Sequence, residues 1–288
     1  MEMPLKNKEG FREFDISPTW HKDRPPGLSA YIRTRGDERW IGPTIESIID
    51  FFDEIVVTID NIDRTKEILK KFKSCKIKLF DYPFGLNPFG HGYNDTPSDS
   101  VHSFAYYTNW SISKTMFSHV CRWDGDMIML PSFKKNKELI LHKNVVRFKG
   151  YDVVTPDFRY MSAHHPFSGP EARINRVDKR IYYYQFPNME GLNYEGLMQL
   201  FYPRQWRDFP ELQIQRIANY FTRKDIKLKD PAFFHMKYLK DWKTKYARND
   251  KADWNAPFYK ELTARSEKGD EIHEDIPDCA FKMPEEYL

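Results

Sequence analysis

The sequence predicts an α/β domain with a mostly parallel central sheet and helices on both of its faces. Between residues 28 and 80, short apolar segments alternate with segments of helical periodicity, in the order strand, helix, strand, helix, strand. This order is typical of parallel strands joined by helical crossovers. A later apolar strand ends in two aspartates, at the edge where ligands bind in open α/β sheets.

The first crossovers are predicted element by element. Residues 1–27 form an irregular lead-in that ends in a Pro-Pro-Gly breaker, and residues 28–33 follow as a short buried strand. Pro43 suits the first position of a helix whose apolar side chains repeat every three or four residues. The β-branched run at 54–59 predicts a central strand, and Asp63 is a candidate N-cap for the next helix.

The following segments lead to the acidic motif. Residues 76–80 alternate as a half-buried strand, residues 82–100 form a long loop, and residues 101–117 form a helix. Residues 119–123 then form the strand that ends in Asp124-Gly125-Asp126. Further strands and two helices follow it, and we expect the helices to form a C-terminal helical extension.

The composition excludes several classes of protein. Hydrophobic residues make up 40% of the 288 residues and charged residues 30%, which argues against a disordered or fibrous chain. A net charge of +3 does not by itself indicate a nucleic-acid binder. The sequence has no apolar run of the ~20 residues that cross a bilayer, no secretory signal and no cysteine spacing typical of zinc or disulfides. We expect a soluble, cytoplasmic protein without a transmembrane segment.

The motif Asp124-Gly125-Asp126 is the main candidate for chemistry. Paired carboxylates around a flexible glycine suit a hard divalent cation such as Mg²⁺ or Mn²⁺, which keeps positions open for substrate phosphates. The alternative is a plain turn between two strands, for which Asp-Gly is favoured. Asp60 and Asn61 follow the second strand, where a nucleotide base or ribose is met in such folds, although Asp60 could equally form an Asx turn.

Four segments together resemble family-2-like glycosyltransferases with the GT-A fold. Residues 31–48 are similar to the opening strand and helix of that family. Residues 54–65 resemble its second strand and D-x-x-S-x-D-x-T loop, in a shortened form that lacks the serine. Residues 107–113 resemble the asparagine-containing helix, and 123–126 lie where the family keeps its D-x-D motif. The resemblance covers roughly residues 28–130.

The resemblance implies a UDP- or GDP-sugar donor and a divalent metal, Mn²⁺ or Mg²⁺. Asp126 would hold the metal on the diphosphate, and Asp124 would lie near the metal or the ribose. The remaining donor contacts would come from Thr34, Arg35, Asp60, Asn61 and Asn109. Residues 28–130 would then form the donor-binding half, 131–250 the acceptor-side half, and 251–288 an acidic tail.

An inverting glycosyltransferase also needs a carboxylate that takes the proton of the acceptor hydroxyl. The candidates are Asp157, Glu171 and Asp178. Glu171 is preferred because it ends a Ser-Gly-Pro-Glu turn after the expected acceptor-side strands. Its alternative role is a surface carboxylate that pairs with Arg173 or Arg176.

A second downstream signal is the H-x-K segment formed by His235 and Lys237. It is similar to the C-terminal histidine with which several GT-A enzymes close the site on the metal or diphosphate. His235 could complete a metal site, and Lys237 could neutralise phosphate charge. A histidine between aromatic residues can also be purely structural.

Two other functions fit parts of the sequence. One is a non-enzymatic α/β module that binds carbohydrate or nucleic acid through stacked aromatics, as the basic and aromatic stretch 223–251 would allow. The other is a nucleotidyltransferase that makes nucleotide sugars, which would also use paired carboxylates and a metal. The leading prediction is a metal-dependent glycosyltransferase with a glycan or glycoconjugate acceptor.

Overall fold

The computed structural model describes residues 3–59, 62–86, 95–153, 160–161, 171–179, 181–186, 189–192, 225–236, 277–282 and 284–287. The strands in these ranges are β1 (Leu28–Thr34), β2 (Glu54–Ile59), β3 (Ile77–Asp81), β4 (His119–Arg122), β5 (Met127–Met129), β6 (Val145–Phe148), β7 (Tyr151–Val153), β8 (Tyr160–Met161), β9 (Glu171–Arg176), β10 (Tyr183–Phe186), β11 (Met189–Leu192), β12 (Asp225–Lys227) and β13 (Phe233–His235). The helices are α1 (Glu38–Ile48), α2 (Thr65–Lys71), α3 (Phe104–Ser113), α4 (Pro131–Lys134) and α5 (Lys137–Leu141), and short 3₁₀ turns lie at Arg12–Phe14, Asp278–Phe281 and Pro284–Tyr287.

The central sheet has seven strands in the order β12-β6-β9-β4-β1-β2-β3 within the described ranges. Strands β3, β2, β1 and β4 pair in parallel, and β12 pairs in parallel with β6. Strand β9 pairs antiparallel with both β4 and β6, so it alone runs against the others in this sheet. The predicted fold class, an α/β domain with a mostly parallel central sheet, is therefore confirmed.

Helices cover both faces of the sheet. Side chains alternate between the faces along each strand, and Ala30 of β1 packs with Ile45 of α1 and Ile68 of α2 in one apolar core. The next residue, Tyr31, packs on the opposite face with Tyr107 of α3. Because both faces are covered, β2 consists entirely of buried residues and lacks the polar alternation of a half-exposed strand.

The strand order places a topological switch point between β1 and β4. From β1 the chain builds the sheet in one direction through β2 and β3, and then returns to add β4 on the other side of β1. Ligands bind at the carboxyl ends of parallel strands at such a switch point. The motif at 124–126 follows β4 directly, and the antiparallel β9 begins at the same edge.

A smaller sheet, in the order β5-β13-β7-β8, lies after the motif. Strand β13 pairs antiparallel with β5, and His235 lies opposite Met127 in the register. This pairing brings the downstream histidine next to the acidic motif.

Two local predictions were wrong in detail. Helix α1 begins at Glu38, so Pro43 lies inside the helix and not at its first position. The backbone N–H of Glu38 donates to Asp63 Oδ2 at 3.0 Å at the start of this helix. The predicted helix at 101–117 is shorter, since Ser103 caps α3 by accepting from the Tyr106 N–H. Glu171 is the first residue of β9, and residues 168–170 of the turn predicted before it lie outside the described residues.

Other predictions lie outside the described residues. The two later helices and their C-terminal extension fall largely in the gaps at 193–224 and 237–276. None of the helices in the described part of the chain has the length and apolar character required to span a bilayer.

Candidate functional site

The acidic motif forms a tight turn that Trp123 stabilises through a hydrogen bond to the main chain. The Met127 N–H donates to the Asp124 carbonyl at 3.1 Å, which closes the turn. The fully buried Trp123 donates its indole N–H to the Met127 carbonyl at 2.8 Å. The flanking strands β4 and β5 belong to different sheets, so the motif is not the bend of a hairpin between paired strands.

Glycine is required at position 125 by the close approach of α1. A Cβ atom on Gly125 would lie 2.9 Å from Oδ2 of the buried Asp37, which precedes α1. Thr44 of α1 donates its hydroxyl to the Gly125 carbonyl at 3.0 Å. The first helix therefore fixes the main chain that carries both aspartates.

Asp126 and His235 form one half of the site. The Asp126 side chain is buried, and its Oδ1 lies 3.5 Å from Nε2 of His235. The main chain reinforces this pairing, because the Met236 N–H donates to the Asp126 carbonyl at 2.9 Å. A carboxylate and an imidazole thus lie side by side at the motif.

Asp124 forms the other half, with an arginine. Nη1 of the buried Arg173 donates to Asp124 Oδ2 at 3.1 Å. Burial raises the pKa of Asp124, but the positive charges of Arg173 and Arg122 outweigh it and hold that pKa well below its ordinary value. Asp124 is therefore ionised at neutral pH.

Glu171 joins the same network through one oxygen. Arg122 Nη2 donates to its Oε2, and Arg173 Nη2 forms an ion pair with the same oxygen at 3.0 Å. Burial raises the pKa of Glu171, and the two arginines lower it by more, so the net shift is downward. The side chain remains 45% exposed, and its Oε1 has no hydrogen-bond partner within the described ranges.

The donor set fits a metal only as a two-ligand site. Among the described residues, no three His, Cys, Asp or Glu side chains are grouped so that they could hold one ion. Asp126 and His235 are adjacent, whereas Asp124 is paired with Arg173. Mg²⁺ is often held by one or two carboxylates, with waters and substrate phosphates completing the shell, so two protein ligands suffice only with a phosphorylated substrate.

The predicted donor contacts from β1 and α3 are engaged elsewhere. Thr34 is buried and donates to the Thr58 carbonyl of β2 at 3.1 Å. Both polar groups of Asn109 bond the main chain of Tyr183, at 2.8 and 2.7 Å. The exposed Arg35 reaches the Leu86 carbonyl at 3.3 Å. Nucleotide recognition by Thr34 or Asn109 would require these bonds to break or be shared.

Other predicted site residues lie outside the described residues or on the far edge of the sheet. Asp60, Asn61, Asp157 and Lys237 fall outside the described ranges. Asp178 follows the last residue of β9, beside the first residue of β4, and so lies at the edge opposite the motif. Of the three candidate bases, Glu171 is the one that the fold brings to the motif.

Two site residues, Arg122 and Arg173, were not predicted from the sequence. Arg122 immediately precedes the buried Trp123, and Arg173 lies among buried residues of β9. Arg173 was considered only as a surface partner of Glu171. The available signal was a charged residue inside an apolar strand, since arginine is almost never fully buried unless it is paired.

No protein-family model matches the sequence, and the search of curated proteins found no significant match. Solved structures with some likeness include S. aureus TarS 1–349, at 15% identity and a TM-score of 0.46 over 73% of this chain and 60% of that chain. A longer S. aureus TarS structure is 16% identical, with a TM-score of 0.44 over 73% of this chain and 36% of that chain. The 4-diphosphocytidyl-2C-methyl-D-erythritol synthase of Anaerococcus prevotii is 16% identical, with a TM-score of 0.34 over 57% of this chain and 74% of that chain. This chain spans less than two thirds of either TarS structure, and likeness at this level assigns no activity to it.

Proposed function

We propose that this chain is a metal-dependent glycosyltransferase. It would move a sugar from a UDP- or GDP-sugar to a hydroxyl of a glycan or glycoconjugate acceptor, with inversion. The observation that supports this most directly is the meeting of Asp124, Asp126, His235 and Glu171 at the carboxyl edge of the sheet, beside the β1–β4 switch point. In this proposal, residues 28–130 bind the donor, 131–250 face the acceptor and 251–288 form a tail.

Asp126 and His235 would hold the divalent ion, Mn²⁺ or Mg²⁺. When bound, the ion would stabilise the negative charge that develops on the nucleoside diphosphate as the glycosidic bond breaks. Asp124 would orient the donor from its fixed position on Arg173. Lys237, Asp60 and Asn61 remain proposed donor contacts, together with Thr34, Arg35 and Asn109.

Glu171 would act as the general base. Its side chain is partly exposed, so an acceptor can reach it, and its Oε1 is not used in any bond among the described residues. The arginines keep it ionised at neutral pH, which is the form that accepts a proton. A base with a lowered pKa is weak, so catalysis would benefit if substrate binding moved Glu171 away from the arginines.

Ligand-dependent thermal stability tests the donor site. We expect UDP or GDP to raise the melting temperature only when Mn²⁺ is present, since a ligand at 100 times its Kd adds about 2.7 kcal/mol. The variant Asp126→Asn keeps the shape of the side chain and removes one ligand charge, and it should abolish the metal-dependent part of the shift. The exposed Glu138→Gln also replaces one carboxylate by its amide and is the control for the loss of one charge. If no diphosphate stabilises the protein in a metal-dependent way, the proposal fails.

A panel of nucleotide sugars separates the candidate activities. A glycosyltransferase should release a nucleoside diphosphate from one donor of the panel, and Glu171→Gln should retain donor binding while losing transfer. A nucleotidyltransferase would instead release pyrophosphate from a nucleoside triphosphate and a sugar phosphate. A binding module would release neither product.

A further inference from the structure

The guanidinium groups of Arg122 and Arg173 have more hydrogen-bond donors than the described residues of the protein use. Arg173 places Nη1 on Asp124 and Nη2 on Glu171. Arg122 places Nη2 on the same Glu171 oxygen, whereas its Nε is buried and has no hydrogen-bond partner among the described residues. A buried donor without an acceptor is unfavourable, so this arrangement is incomplete without a further acceptor.

The unused donor lies on the same edge of the guanidinium group as the used one. Nε and Nη2 form the side-on fork with which arginine binds two oxygens of one anion. Glu171 fills only half of that fork, because its Oε2 is shared between Arg122 and Arg173. A group with three terminal oxygens can occupy both positions of the Arg122 fork and still reach Nη2 of Arg173.

We propose that Arg122 and Arg173 form a phosphoryl-binding site, which the Glu171 carboxylate occupies until the phosphoryl group of a substrate displaces it. Glu171 can leave because its side chain is 45% exposed, whereas the side chain of Arg173 is only 6% exposed and is fixed by Asp124 and by the Phe233 ring at 5.1 Å. The site thus combines a cationic pair, of which Arg173 is fixed, with a movable internal anion.

This inference deepens the proposed function and rests on it for the kind of substrate. The phosphoryl group would belong either to the diphosphate of the donor or to a phosphorylated acceptor. Displacement would also release Glu171 from both arginines and leave its carboxylate free to accept the acceptor proton. The binding step itself requires neither the metal nor the nucleotide.

Titration calorimetry with inorganic phosphate in EDTA, at constant ionic strength, tests the inference. The decisive variant is Glu171→Gln, which removes the competing charge and should tighten phosphate binding about tenfold, the equivalent of about 1.4 kcal/mol. Glu138→Gln makes the same change of net charge at an exposed position on α5 and should leave the affinity unchanged. A Glu171→Gln variant that binds phosphate no better than the wild type overturns the inference.

Two further measurements test the fork geometry. Arg122→Lys keeps the charge but lacks the paired donors, and it should weaken phosphate binding about tenfold. Arg176→Lys makes the same change at the exposed end of β9 and should have no effect. Acetate should bind more weakly than phosphate, because two oxygens cannot fill all three positions. Equal binding of acetate, or full affinity in a folded Arg122→Lys variant, contradicts a phosphoryl site.

Saturating UDP or GDP with Mn²⁺ identifies the source of the group. If the nucleotide displaces phosphate, the arginines serve the donor diphosphate, and if phosphate still binds, they serve a phosphorylated acceptor. Both results support the phosphoryl site. Failure of the nucleotide to bind at all, with the Glu171→Gln effect intact, would instead reject the proposed function and leave the anion site standing.

Discussion

Two glutamates at opposite ends of the central sheet differ in how completely their carboxylate oxygens are used as hydrogen-bond acceptors. Glu54, at the amino end of β2, is 1% exposed and accepts from the Ser29 hydroxyl at 2.7 Å, the Met116 N–H at 2.8 Å and Lys78 Nζ at 2.7 Å. Glu171, at the carboxyl end, is half-exposed and uses one oxygen of two. A carboxylate with all its partners holds a fold together, whereas one with spare capacity beside an unpaired donor is prepared for a ligand.

The largest effect on stability is expected from Glu54→Gln. Ser29 and Met116 both donate to Oε2, and Lys78 Nζ donates to Oε1. An amide oxygen that serves the first two turns its NH₂ group toward the Lys78 ammonium, and we expect a loss of about 3 kcal/mol of unfolding free energy. Urea denaturation monitored by circular dichroism measures it. Phosphate affinity should not change, and a change in affinity would mean that the two ends of the sheet are coupled.

A smaller but still clear effect is expected from Gly125→Ala. The added methyl group would meet Asp37 Oδ2 at 2.9 Å, so either Asp37 or the main chain of the motif must shift. We expect a loss of about 1–3 kcal/mol, the usual cost of overpacking, together with loss of metal-dependent nucleotide binding. Thr44→Ser, which keeps the hydroxyl that holds the Gly125 carbonyl, is the matched control. An unchanged stability would show that the approach of α1 to the motif is loose.

Strand β2, which carries Glu54, and the acidic motif also show what the sequence could and could not predict. The strand β2 is apparent from its β-branched residues, and the motif at 124–126 is apparent because two carboxylates flank a glycine directly after a predicted apolar strand. The partners were not predictable, since they come from distant parts of the chain. Asn109 bonds the main chain of Tyr183, 74 residues away, and Arg173 reaches the motif only because β9 pairs antiparallel with β4.

Glu171 itself was identified as a site residue for an incomplete reason. Ser-Gly-Pro before it indicates a turn, and turn residues are often exposed and functional. The structure places it at the start of a strand, where it forms an ion pair with Arg173. This pairing was the alternative role predicted for Glu171 from the sequence. Sequence spacing identified the partner on its own strand, but could not show that Arg122 on β4 shares it.

The comparison predicts that Glu171→Gln, unlike Glu54→Gln, has little effect on stability. Partly exposed ion pairs contribute about 0–1 kcal/mol, and neutralising Glu171 removes a charge whose desolvation also has a cost. We therefore expect a change of less than about 1 kcal/mol in the same urea experiment. A loss as large as that of Glu54→Gln would make Glu171 a structural residue and remove the basis for its displacement by substrate.

The smallest effect is expected in the acid response of Asp124→Asn. Burial raises the pKa of Asp124 and the arginines lower it by more, so the folded state holds its proton less tightly than the unfolded chain. Unfolding below about pH 4 therefore takes up a proton, and the stability of the wild type falls as the pH falls through this range. Asp124→Asn lacks this proton and should show a shallower decline between pH 5 and 3, by about 1 kcal/mol or less. The exposed Asp50→Asn controls for the loss of one charge. A decline as steep as that of the wild type would mean that Arg173 does not hold Asp124 in solution, and the cationic pair would then lose its anchor.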